Sequence, residues 1–162
     1  MHFILHTNRG FTIIEVLIAC AIISVTSFAL ISTAQKGIQL SNQALRQVQA
    51  GLLIEEGVEA VKTIRDNGWS TISGFALNTI YYPSFNTSTN TWSLGTTNPG
   101  ILDSVFTRTV VFSEVNRDSN DDIVSSGTVD ARTKKVTVEV SWPSSGGSTS
   151  KAITFYIADI FT

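Results

Sequence analysis

Arg9-Gly10-Phe11-Thr12-Ile13-Ile14-Glu15 sets a cation, a residue without a side chain and a carboxylate at the head of a long apolar run. Gly10 beside a basic residue suits peptide-bond cleavage by a peptidase, since no side chain obstructs the scissile bond. Glu15 carries the only charge between Phe11 and Ile31, a stretch of 21 residues without Pro or Gly. At ~1.5 Å rise per residue this length just spans a hydrocarbon layer ~30 Å thick. A carboxylate at the centre of such a layer costs ~2.5–3.5 kcal/mol, and less toward the interface. Glu15 therefore needs a partner.

Gly10-Phe11-Thr12-Ile13-Ile14-Glu15-Val16-Leu17-Ile18-Ala19 resembles the prepilin signal of type IV pilins and type II secretion pseudopilins. The resemblance implies a leader, residues 1–10, cleaved after Gly10 by a prepilin peptidase. It also implies N-methylation of the new N-terminal residue, Phe11, and an assembly contact at Glu15. Pairing of Glu15 with the methylated amine of Phe11 in a neighbouring subunit follows from the same resemblance. The implied partners are other pilin or pseudopilin subunits and an inner-membrane assembly platform. Two further readings of the N-terminus exist: Ile18-Ala19-Cys20-Ala21 imitates a secretory cleavage site, and Ile18-Ala19-Cys20 a lipobox, though without the Leu usual three residues before a lipidated Cys. Arg9 on the N-terminal flank, with the next basic residue at Lys36, predicts a single pass with a cytoplasmic N-terminus.

The composition narrows the chemistry. Net charge is −2, so no basic stripe argues for nucleic acid or acidic lipid. Cys20 is the sole cysteine and lies in the apolar run, which excludes an intramolecular disulfide and disfavours a reactive thiolate. His2 and His6 both lie in the leader, so the processed chain would hold no histidine. A Ser–His–Asp triad, a Cys–His pair and nearly all zinc sites disappear together. No cofactor is implied, and the chain reads as a non-enzyme.

Helical periodicity continues past the apolar run. Ile31, Ala34, Ile38, Leu45, Val48 and Leu52 form one stripe, and Ile54, Val58, Val61 and Ile64 a second. One helix is predicted over 11–66, its membrane half at 11–31 and its amphipathic half at 32–66. Ser24, Thr26 and Ser27 can bond the preceding turn. Ser32-Thr33 marks the place where helices of related pilins can melt, but without a Pro a continuous helix is predicted. Asp66-Asn67-Gly68 ends it, with Gly68 placed in the left-handed helical region.

Residues 67–103 read as a variable connection, holding short strands at 75–82 and 91–94. Trp92, Tyr81 and Tyr82 are either partner contacts or covers of the sheet edge. Asn86-Thr87-Ser88 fits the N-glycosylation triplet. From 104 to 162 the pattern is antiparallel sheet: strands at 105–115, 123–129 and 135–142, and a return through Ile153, Phe155 and Ile157 after the turn at 143–148. Val136, Val138, Val140 and Trp142 share one face. The fold class is α+β, a long N-terminal helix packed on a small sheet of three or four strands. Asp118, Asn120 and Asp122 are spaced like the first ligands of a calcium loop. Ile123 and Val129 stand where that loop has Gly and Glu, so an Asx-rich hairpin turn is the competing reading.

Glu59-Ala60-Val61-Lys62-Thr63-Ile64-Arg65-Asp66 and Lys135-Val136-Thr137-Val138-Glu139-Val140-Ser141-Trp142 are similar to PilV-like minor-pilin sequences. With no disulfide loop, the resemblance points to a minor pilin or pseudopilin of a type IV pilus or secretion-like filament. A membrane-tethered binding module that forms no filament is the alternative.

Overall fold

The structure is a computed structural model that describes residues 10–144 and 146–160. The leader residues before Gly10, with His2, His6 and Arg9, and Ser145 of the turn at 143–148 lie outside the described residues. The chain divides after Leu45 into two compact units, taken in turn below.

Helix α1 runs unbroken from Ile13 to Asp66. In the first unit four of its hydroxyl side chains, Ser24, Thr26, Ser32 and Thr33, close on the turn before them. Ser24 Oγ donates to the Cys20 carbonyl at 2.7 Å, and Thr26 Oγ1 reaches the Ile22 and Ile23 carbonyls at 3.0 Å. Ser32 and Thr33 do the same with Phe28 and Ala29, both at 2.9 Å. Bonded in this way, the hydroxyls leave the helical ladder intact, so Ser32-Thr33 is helical. An 18-residue window of α1 has a mean hydropathy of 2.4 with none of its residues buried. By length and composition this helix can cross a membrane.

In the second unit α1 lies on an antiparallel sheet. Its strands are β1 (Ile80–Asn86), β2 (Thr91–Gly95), β3 (Thr107–Arg117), β4 (Ile123–Val124), β5 (Thr128–Ser144) and β6 (Gly147–Ala158). The order across the sheet is β2-β1-β3-β5-β6, with β4 paired to β3 off this path. The α+β class stands, but the sheet has six strands where three or four are expected. The additional pair, β1 and β2, comes from the 67–103 segment. That segment also holds a short helix, α2 (Trp69–Ser73). β1 starts at Ile80 because the residues before it turn: Asn78 has φ 54° and its amide caps the Phe112 carbonyl at 2.8 Å. Pairing of β1 with β3 stops at Tyr81, two residues before Pro83, whose nitrogen has no hydrogen to give a ladder. The expected strand at 123–129 is cut to two residues, and Thr128 already belongs to β5.

Val136, Val138, Val140 and Trp142 are all buried against α1, as their alternation predicts. Phe106, Val110, Phe112, Tyr81 and Ile157 complete that face. The second expected stripe meets the sheet: Ile54, Val61 and Ile64 are buried and Val58 packs against the core, joined by Ala50, Gly57 and Ala60. The first stripe does not, since Leu45, Val48 and Leu52 stay more than half exposed. Small residues at 50, 57 and 60 let the helix approach closely, and each buried Val or Ile there contributes about 1.5–3 kcal/mol. The bulkier stripe faces away.

The helix end also departs from expectation. Gly68 has φ 145° and ψ 130°, an extended conformation open to glycine rather than the left-handed helical one. Its amide still bonds the Arg65 carbonyl at 2.9 Å. Tyr81 is buried in a ring cluster with Phe75 and Phe112, its hydroxyl accepting from the Ala76 amide at 2.9 Å. Trp92 is half-buried above Arg108. Both side chains are inward components of the domain; Tyr82 is half-buried.

Candidate functional site

The residues expected to serve processing and assembly sit where α1 begins. Gly10, Phe11 and Thr12 are outside the helix, and the first helical residue is Ile13. Thr12 Oγ1 accepts from the Glu15 amide, and Glu15 Oε2 accepts from the Thr12 amide, each at 3.4 Å. Thr-x-x-Glu in this reciprocal arrangement is a capping box, which satisfies two of the amides that a helix start leaves without partners. Glu15 in the first turn also meets the positive end of the helix dipole. Its carboxylate is thus turned back toward the backbone just after Gly10–Phe11. The Thr-x-x-Glu spacing of a capping box is present in the sequence at Thr12 and Glu15.

A side chain at Gly10 would meet no atom of the described residues within 4 Å. Among the described residues nothing requires glycine there. Phe11 is 85% exposed, and Ile13, Ile14, Leu17 and Ile18 are exposed beside it. Such a surface on a single chain awaits lipid or protein.

The candidate calcium loop is organised by hydrogen bonds of its own. Asp118 Oδ1 accepts from the Asn120 amide at 2.8 Å and the Asp122 amide at 3.0 Å. Arg117 enters the same loop, donating to the Asp121 carbonyl and, through Nε, to Asp130 Oδ2, both at 2.7 Å. A guanidinium among these carboxylates repels a cation. Among the described residues no group of three or more His, Cys, Asp or Glu side chains is arranged to hold a metal. Asn86, of the glycosylation triplet, turns its own Oδ1 onto the Ser88 amide at 2.9 Å.

The Arg117–Asp130 pair has a measurable consequence. The Arg117 hydrogen bond first, then the Thr133 hydroxyl, hold the Asp130 pKa at about 2 against an ordinary 3.8. A carboxylate depressed by folding stabilises the native state above its unfolded pKa, and that contribution is lost as pH falls through the folded one. Acid unfolding between about pH 4 and pH 2 is thus expected to flatten in Asp130→Asn, as followed by circular dichroism. An unchanged acid limb means the pair does not contribute.

Comparison with known proteins places one signature. A family model described as the prokaryotic N-terminal methylation motif matches residues 5–31. Nothing among curated proteins or solved structures matches the chain. The match covers Gly10, Phe11, the capping box and the apolar first half of α1. The chain thus carries the prokaryotic N-terminal methylation motif over residues 5–31, at the head of a helix long and apolar enough to cross a membrane.

Proposed function

We propose that the chain is a structural subunit, a minor pilin or pseudopilin, of a type IV pilus or type II secretion-like filament. The observation that carries this reading is the methylation motif at residues 5–31. Prepilin peptidase removes residues 1–10 after Gly10, and Phe11 is then N-methylated. The absence of any steric role for Gly10 among the described residues supports this, since its side-chain-free character serves the processing enzyme. Residues 11–31 hold the subunit in the cytoplasmic membrane, N-terminus inside, with the sheet domain outside. The inner-membrane assembly platform draws it into the filament, where other subunits cover the exposed apolar helix. Glu15 pairs there with the Phe11 amine of a neighbour, so its membrane cost is offset when subunits stack in register.

Fractionation of sheared surface and periplasmic filaments tests the proposal. The chain is expected to co-purify with filaments in cells that have prepilin peptidase and to stay in the membrane in cells that lack it. Retention in the membrane in both contradicts the filament role and leaves a tethered module.

A further inference from the structure

Arg108 stands on the apolar face of β3, in step with Val110 and Phe112, with its side chain 3% exposed. Its Nη1 donates to the Leu53 carbonyl at 3.0 Å and to Glu56 Oε2 at 2.9 Å, both on α1. Its guanidinium carbon lies 5.5 Å from the centre of the Trp92 ring on β2. A buried charge must be held by partners or it destabilises the fold. Here the partners come from two elements that lie far apart in the sequence.

The β1–β2 hairpin is joined to the main sheet by few backbone pairs, and beyond Tyr81 its contact with the core comes from Trp92 and Leu94. β1 pairs with β3 only through Ile80 and Tyr81, while Tyr82 to Asn86 pair only with β2. No charged side chain occurs anywhere in residues 67–102, so the hairpin brings no ion pair of its own. Phe85 packs on Trp92 at 5.1 Å but is 44% exposed. Across the helix Gly57 makes room for the arginine stem, since a Cβ there would lie 3.0 Å from Arg108 Cδ.

We propose that Arg108 is a latch: a buried guanidinium that fastens the uncharged β1–β2 hairpin to helix α1 through Trp92 on one side and Glu56 on the other. Cation–π attraction to Trp92 strengthens in so dry a setting. The charged hydrogen bond to Glu56 holds the guanidinium plane in place. The hairpin's docked position thereby depends on a helix residue, Glu56, that it does not need to touch. A partner that engages the hairpin would feel the helix through this one side chain, and the reverse.

Hydrogen exchange on the full chain in detergent micelles tests the latch. Trp92→Leu keeps an apolar side chain and removes the π face. Glu56→Gln keeps a hydrogen-bonding group and removes the charge. Each is expected to speed exchange of the hairpin amides, residues 84–93, by about tenfold, with β5 and β6 unchanged. In an Arg108→Met background, neither change adds a further increase. The proposal is overturned if hairpin exchange stays at the parent rate in both single variants. It is equally overturned if β5 and β6 lose protection together with the hairpin, since Arg108 is then ordinary core. Should Arg108→Met not fold, the two single variants decide alone.

Discussion

Glu15→Ala is expected to remain cleaved and membrane-inserted while its entry into filaments falls by at least about tenfold. The carboxylate costs ~2.5–3.5 kcal/mol in the middle of a span, and 1.4 kcal/mol is a factor of ten. In the proposed filament a neighbour's Phe11 amine offsets that cost, and the gain exists only in the stacked state. Alanine removes both the cost and the gain, so stacking loses its preference for the correct register. The capping box complicates a simple alanine test, because Glu15 also accepts from the Thr12 amide. Glu15→Gln separates the two roles: a glutamine still closes a capping box but carries no charge. Filament yield in Glu15→Gln should match that of Glu15→Ala. If Glu15→Gln assembles like the parent, the carboxylate acts as a helix cap and the pairing mechanism is wrong.

The second large effect lies at Gly57. A Cβ placed there would come within 2.8 Å of Val138 Cγ1, closer than real Cβ contacts come, and within 3.0 Å of Arg108 Cδ, which must shift to make room. Alanine gains about 1 kcal/mol of helix propensity over glycine, but overpacking costs about 1–3 kcal/mol. A larger side chain also crowds the buried Arg108 stem against its half-exposed partner Glu56, and a buried guanidinium that loses its partner adds to the cost. Gly57→Leu is therefore expected to lower unfolding stability by about 3 kcal/mol or more. Gly51 provides the internal contrast. Its Cβ would meet only Lys151 Nζ, at 3.3 Å, the far end of a flexible side chain. Gly51→Ala should gain up to about 1 kcal/mol. Thermal unfolding of the two variants side by side is the check, and equal shifts of the same sign would contradict the packing described here.

Much of this architecture was legible in the sequence, for definite reasons. Period-two alternation from Val136 to Trp142 fixed one face of β5, and the return through Ile153, Phe155 and Ile157 fixed its pairing with β6; the structure pairs Val138 with Ile153 and Val136 with Phe155. The lack of Pro before Pro83 allowed one long helix, and α1 is continuous. The helical contact face was legible in its second stripe, Ile54 to Ile64, but not in its first. Hydrophobic periodicity favours large residues, so Leu45, Val48 and Leu52 stood out while the small residues that meet the sheet did not. The expected strand at 91–94 is β2, whereas the one expected at 75–82 begins only at Ile80, after the turn at Asn78, and runs on to Asn86; the Ser, Thr and Asn of this hairpin hid its pairing with the main sheet. Arg108 did leave a signal: counting by twos from Val110 and Phe112 puts it on the buried face. A lone arginine in such a register is a charge needing partners, and only the fold shows that Glu56 and Trp92 supply them. At the N-terminus the motif was legible as Gly-Phe-Thr-x-x-Glu running into the apolar span, within the matched residues 5–31. Capping by Thr12 adds a reason for its spacing that membrane energetics alone does not give.

Intact-mass measurement of the chain isolated from cells with prepilin peptidase tests the central proposal most directly. Loss of Met1–Gly10 together with the gain of one methyl group on Phe11 is the predicted result. A retained N-terminus, or cleavage after Ala19 instead, contradicts it.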